Sequence, residues 1–184
     1  MMKRAIFCLC AALMAAAPPA AGQPRAWPEN RSLLRLSGGG LAVGTPGLHS
    51  RDHWEFGLSR AEIVAAVTGA AGPATGTGEN RECGAGPMQF TRFGPLTLNF
   101  QDDRWVGWDM AWQTLPAIVT EDGLTIGVGR NDLDLGAVDR DEVTVNQTTL
   151  GTEFEVSGIH GLLSGRGPDA TVTHLWAGTD CAFR

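Results

Sequence analysis

Tyrosine is absent from this 184-residue sequence, basic residues are outnumbered by acids, and no apolar run is long enough to cross a bilayer. Each lack excludes something. Without tyrosine, the aromatic candidates for binding reduce to 6 tryptophans and 7 phenylalanines. Lys and Arg number 14 against 20 acids, a formal charge of −6. An acidic chain repels nucleic acid and anionic lipid, so neither is an expected partner. The apolar stretch from Ala5 to Ala17 runs about 13 residues, whereas a spanning helix needs about 20, so no stable membrane insertion is expected.

That stretch has another reading. Met1-Met2-Lys3-Arg4 is a short basic start, and Pro18-Pro19-Ala20-Ala21-Gly22 ends the run with small residues. The layout predicts a secretory signal peptide over 1–22, cleaved near Gly22, and a periplasmic or secreted mature chain. A buried N-terminal helix is the alternative for the same residues. Cys8 and Cys10 lie inside the run, too early to carry a lipid after cleavage. Losing Lys3 and Arg4 would move the formal charge from −6 to about −8, two basic residues being removed. About 160 residues then remain, enough for one domain or two small ones sharing a core.

Only Cys83 and Cys181 survive that cleavage. In an oxidising compartment two distant cysteines read first as one disulfide. It would close a loop of nearly a hundred residues, adding ~4–5 kcal/mol in the chain-entropy model. Two buried thiols, or a reactive thiol at Cys83 alone, are the alternatives that the sequence leaves open.

What the sequence does contain is 25 glycines and one motif with an echo. Abundant glycine favours short strands and turns over a helical bundle. Residues 23–31 read as a loose lead-in, and Ser37-Gly38-Gly39-Gly40 separates two short apolar runs as a hairpin would. Leu48 to Glu55 reads as a loop. In Phe56-Gly57-Leu58-Ser59-Arg60-Ala61-Glu62-Ile63, Ser59 and Glu62 have the spacing of a reciprocal capping box. Ile63, Val64, Val67 and Ala70 then recur at helical spacing until Gly72-Pro73. A glycine-rich loop over 76–86 follows, then strands around Met88–Phe93, Leu96–Phe100 and Arg104–Trp108.

The echo is Ile126-Gly127-Val128-Gly129-Arg130-Asn131-Asp132-Leu133, with Gly, Arg, an acid and an aliphatic at the same offsets. Gly129 replaces the serine cap and Gly136 interrupts soon after, so the second helix is the weaker one. Strands around Val143–Val145, Glu153–Val156 and Thr171–Trp176 complete the pattern. The predicted class is therefore α+β. It consists of two tandem helix-plus-antiparallel-meander units, 32–113 and 114–184, with one continuous sheet between them left open.

At Gly57–Ile63, with Gly72-Pro73 closing the helix, the chain resembles a known unit. It is the small α+β unit shared by the SmpA/OmlA (BamE-like) lipoproteins and the β-lactamase inhibitory protein. The inhibitory protein carries two such units in tandem. The resemblance implies an architecture and the binding of proteins through the sheet. There is no lipobox cysteine and no residue that matches a β-lactamase contact, so neither a lipoprotein role nor inhibition carries over.

Chemistry-bearing groups are sparse. His49-x-x-x-His53 with Asp52 has an i,i+4 ligand spacing, but zinc needs a third protein ligand, and His160 and His174 lie in the other unit. Cys83 beside Gly84 would need a histidine base and a lowered thiol pKa to act as a nucleophile. Gly38 to Gly44 lacks the G-x-G-x-x-G spacing and leads into a strand, and there is no phosphate-loop lysine. Asp102-Asp103 and Asp139-Arg140-Asp141-Glu142 read as turn and solvated residues. No catalytic residue, metal or cofactor is assigned.

The tryptophans supply the binding candidates. Trp105, Trp108 and Trp112 cluster at the end of the first meander and Trp176 ends the second. Strict alternation puts Trp105 and Trp108 on opposite faces, one under the helix and one half covered. An aromatic patch formed by these four is the functional alternative, since aromatics concentrate in hot spots. The expected function is a soluble, exported, non-catalytic module that binds a periplasmic or envelope protein. Two other readings stay open: a small exported enzyme, for instance a hydrolase using Cys83 or the His49/Asp52/His53 loop, and a binder of small apolar ligands between the units.

Overall fold

The computed structural model describes residues 33–44, 51–111, 118–134 and 143–181. The expected signal peptide 1–22, the expected lead-in 23–31, His49, Trp112 and the run Asp139–Glu142 lie outside them. Among the described residues there are twelve strands and two helices. A four-stranded sheet has the order β3-β2-β1-β8, built from β1 (Leu33–Ser37), β2 (Gly40–Gly44), β3 (Arg51–Glu55) and β8 (Ile118–Thr120). Its β1–β8 pairing is parallel. An eight-stranded antiparallel sheet has the order β4-β5-β6-β7-β12-β11-β10-β9. Its first half is β4 (Gly76–Asn80), β5 (Met88–Phe93), β6 (Leu96–Gln101) and β7 (Arg104–Ala111). Its second half is β9 (Thr144–Gln147), β10 (Thr152–Val156), β11 (Ile159–Leu163) and β12 (Val172–Gly178).

This overturns the α+β expectation of two helix-plus-meander units: the chain is mostly β, with two sheets and two short helices. The helix α1 (Arg60–Ala71) has 12 residues and α2 (Arg130–Asp134) only 5. Arg51–Glu55 and Gly76–Asn80, within stretches read as loops, are strands, and so is Ile118–Thr120, in the link between the two expected units. Local pattern could not show them, because their partners are remote or compensating. β8 gains its hydrogen bonds from β1, more than eighty residues earlier. The glycine-rich β4 is an edge strand paired with β5, and the Phe90 ring lies where a Gly78 side chain would be. Conversely, Asp122-Gly123-Leu124-Thr125-Ile126 resembles Gly39–Val43 in sequence, as a strand leading into the second helix would, yet lies outside any strand. Both sheets also cross the expected boundary at 113/114, through β1–β8 and β7–β12.

Ser59 starts α1. Its hydroxyl accepts the Glu62 amide at 3.4 Å, and its own amide and hydroxyl donate to the Glu62 carboxylate at 3.0 and 2.6 Å. Those bonds hold the Glu62 carboxyl below its ordinary pKa, first through the Ser59 hydroxyl and then through the Ser59 amide. Ile63, Val67 and Ala70 are buried, and α1 packs against β1 and β2 of one sheet and β5 and β7 of the other.

The echo in the sequence corresponds to equivalent hydrogen bonds. Gly57 and Gly127 both have positive φ, 99° and 91°. Their amides donate to Trp105 and Val172 respectively, and Trp105 and Val172 donate back to Leu58 and Val128. Each central strand then carries a β-bulge. On β7, Phe100 faces Trp105 and Asn99 faces Gly107, leaving Val106 as the extra residue. On β12, Leu163 faces Val172 and Leu162 faces His174, leaving Thr173 extra.

The first bulge corrects the reading of the tryptophans. Strict alternation separates Trp105 from Trp108, but the extra residue turns both toward the face shared by Leu96, Leu98 and Phe100. Both indoles are 0% exposed. Trp105 Nε1 donates to Gly107 O at 2.8 Å, and Trp108 Nε1 donates to Ser37 O at 2.9 Å, which ties the large sheet to the small one. Trp108→Phe leaves the Ser37 carbonyl without this donor and is expected to cost about 1–3 kcal/mol. Ser59→Ala should cost about 1 kcal/mol through the lost cap. Urea midpoints measure both, and a Trp108→Phe protein as stable as wild type would remove the indole from this role.

Candidate protein-binding face

The core occupies one face of the eight-stranded sheet, so the other face is where polar side chains collect. One cross-strand row runs over all eight strands: Gly76, Arg92, Thr97, Asp109, Trp176, His160, Glu155 and Thr144. Arg92 and Glu155 are exposed, and Thr97, Asp109 and His160 half-buried. Beside the row lie half-buried Phe90 and Leu162 and exposed His174. Antiparallel sheets with one packed and one wet face have this alternation.

Trp176 belongs to this face but is only 5% exposed. Its ring stacks on His160, centroids 5.7 Å apart and planes 16° off parallel, so it backs His160 more than it presents itself. Trp105 and Trp108 are core residues, and Trp112 is outside the described residues. The four-tryptophan patch is therefore not the surface; its candidates are the polar row with Phe90, Leu162 and His174. The Arg92 guanidinium sits 4.5 Å from the Phe90 ring centroid, a cation–π contact.

Asp109 is the electrostatically unusual group. Its carboxyl is pushed up to about 6, first by desolvation and further by the Asp180 carboxylate. Hydrogen bonds from Asn99 and Thr97 and the charge of Arg92 pull the other way. Asp180 arrives with the C-terminal segment, which crosses the middle of this face. The Thr179 amide donates to Val106 O at 2.8 Å, and Asn99 Nδ2 donates to Thr179 O at 3.4 Å. A side chain at position 107 would overlap the Thr179 backbone, so Gly107 is what lets the segment lie flat.

The segment ends in the Cys83–Cys181 disulfide, with Cα atoms 5.2 Å apart across 98 residues of chain. Asn80 Nδ2 also donates to Cys181 Sγ at 3.2 Å. The sulfur that a thiol nucleophile would need is thus engaged. The other candidates disperse. His53 is exposed, and its Nδ1 lies 3.9 Å from Glu121 Oε1. No group of three or more metal-ligating side chains occurs among the described residues. Gly38-Gly39 turns β1 into β2, and Asp102-Asp103 forms an exposed turn with φ of 48° and 59°. A shallow cleft of 360 Å³ lies elsewhere, between the β1–β2 turn and the end of β3, lined by Gly39, His53, Trp54 and Phe56 among others.

Asp109 binds its proton more readily folded than unfolded. Its stabilising contribution is complete below about pH 4 and is lost as pH rises toward 6. Wild type should lose on the order of 2–3 kcal/mol relative to Asp109→Asn across that window, and nothing further above it. Urea unfolding at pH 4, 5, 6 and 7 checks this; parallel stability curves would contradict it.

No protein-family model and no curated protein matches the chain. Among solved structures, it is similar to the uncharacterized protein YfeY from Escherichia coli. The alignment has 17% identity, covers 67% of this chain and 90% of that one, and has a TM-score of 0.44.

Proposed function

We propose that this chain is a non-catalytic protein-binding module, exported to the periplasm or beyond, whose recognition surface is the polar face of the eight-stranded sheet. The observation that carries the reading is the composition of that face. Arg92, Glu155, His160 and His174 lie around half-buried Phe90 and Leu162 on that face, to either side of the C-terminal segment. Mixed charge around a few apolar and aromatic groups is the character of a non-obligate protein interface. A face spread over eight strands suits a protein better than a small molecule, which favours concave, mostly apolar pockets.

Export is supported by the leader-like first 22 residues and by a disulfide of a kind rare in reducing compartments. The resemblance of Gly57–Ile63 to SmpA/OmlA and inhibitory-protein units adds a proposed kinship with proteins that bind through a sheet. An enzymatic reading draws no support from Cys83, whose sulfur is bonded to Cys181.

A photoreactive residue at His174 or Leu162 should cross-link one defined protein in an envelope fraction. The same probe at Thr68, exposed on α1, should not. Leu162→Asp should abolish the adduct formed from position 174 while leaving the fold intact by circular dichroism. Equal labelling from Thr68, or none from the sheet positions, would reject this face as the interface.

A further inference from the structure

The C-terminal segment has features that neither the core nor a binding face requires. It leaves β12 at Gly178, where φ is 71°, a conformation that side chains disfavour. It then crosses β7 over Gly107 and ends on the loop after β4 at Cys83. Among the described residues its non-covalent ties include the Thr179 amide on Val106 O, the longer Asn99 contact, Asn80 on Cys181, and the Asp180 carbonyl 3.9 Å from Cys83 Sγ. Its placement also brings the Asp180 carboxylate near that of Asp109, and two like charges resist the arrangement whenever both are ionised. The disulfide is the covalent tie that outweighs this.

We propose that residues 179–181 are a redox-latched strap, pivoting at Gly178, that covers the centre of the sheet's polar face until the Cys83–Cys181 bond is reduced. The chemistry is thiol–disulfide exchange with a dithiol reductant. Cys83 is 7% exposed whereas Cys181 is half-buried, so the reductant's thiolate attacks Cys181 Sγ. The Cys83–Cys181 bond breaks as a mixed disulfide forms at Cys181, and Cys83 departs as a thiolate that takes up a proton. The reductant's second thiol then displaces Cys181. Two electrons have moved to the protein, which holds two thiols, and the reductant has become a disulfide.

Release uncovers Asn99, Gly107 and Asp109, in the middle strands of the sheet. It leaves the ladders of β5, β6, β7 and β10 to β12 unbroken, because residues 179–181 belong to none of them. The strap is a property of the isolated chain and does not depend on whether that face binds a protein.

Amide exchange tests it on the full chain, oxidised and after incubation with dithiothreitol, followed residue by residue by NMR. The Thr179 amide is expected to lose its protection on reduction while amides of β6, β7 and β12 keep theirs, and reoxidation should restore it. Cys181→Ser should behave as the reduced protein does, and the reduced wild type carries the test if that variant fails to fold. A Thr179 amide that stays protected after reduction would overturn the proposal. So would loss of protection throughout β6, β7 and β12, since the bond would then be a staple of the whole fold.

Discussion

One extra residue, Val106, organises most of this molecule. The bulge that it makes on β7 keeps Trp105 and Trp108 on the same side, where both fill the core. It also ends the pairing of β7 with β12 at Gly107, because beyond it the strand turns to a new partner. Trp105 exchanges hydrogen bonds with Gly57 and Leu58 at the entrance to α1, while the Val106 carbonyl is left to accept the Thr179 amide. Core, helix entry and C-terminal segment thus meet at a single irregularity. Bulges bend a strand and re-aim its side chains, and both effects are used here.

The same device recurs at Thr173 on β12, next to the Gly127–Val128 entrance to α2. The two bulged strands are the central pair of the large sheet, so the halves join at equivalent edges and yield eight strands in one layer. The symmetry is partial. Ser59 and Glu62 cap a helix of 12 residues, whereas Gly129 offers no capping side chain and α2 has 5 residues among those described. The small sheet packs with α1 over the core side, with the Trp108–Ser37 hydrogen bond between the two sheets. Most of the large apolar side chains are committed there, and the opposite face carries mainly polar groups, with Phe90, Leu162 and Trp176 among them.

That division explains the electrostatics of the polar face. Asp109 sits mid-sheet, flanked by β6 and β12, and the strap brings Asp180 toward it. Its raised pKa is the consequence of being covered without a dedicated cation, since Arg92 is two strands away and engaged with Phe90. No sequence pattern announces such a group: Asp109 stands between Trp108 and Met110 as an ordinary polar residue of an alternating strand.

Local signals reported what local physics controls. The Ser59/Glu62 spacing, the apolar stripe of α1, the Asp102-Asp103 turn and the lone pair of late cysteines were legible because each depends on neighbours in the chain or on counting. The echo at Gly127–Leu133 was legible for the same reason. Strands β3, β4 and β8 were not, since edge or parallel pairing gives hydrogen bonds to sequences with weak β character. The faces of Trp105 and Trp108 were not either, because a period of two fails at a bulge, and a bulge is decided by what the strand must pair with. The sequence by itself determined the helix start, the turns, the cysteine pair and the acidic charge. Only the tertiary structure decided that the described residues are mostly β, which face Trp105, Trp108 and Trp176 take, and that Asp180 comes near Asp109, because pairings across sixty to eighty-four residues have no local signature.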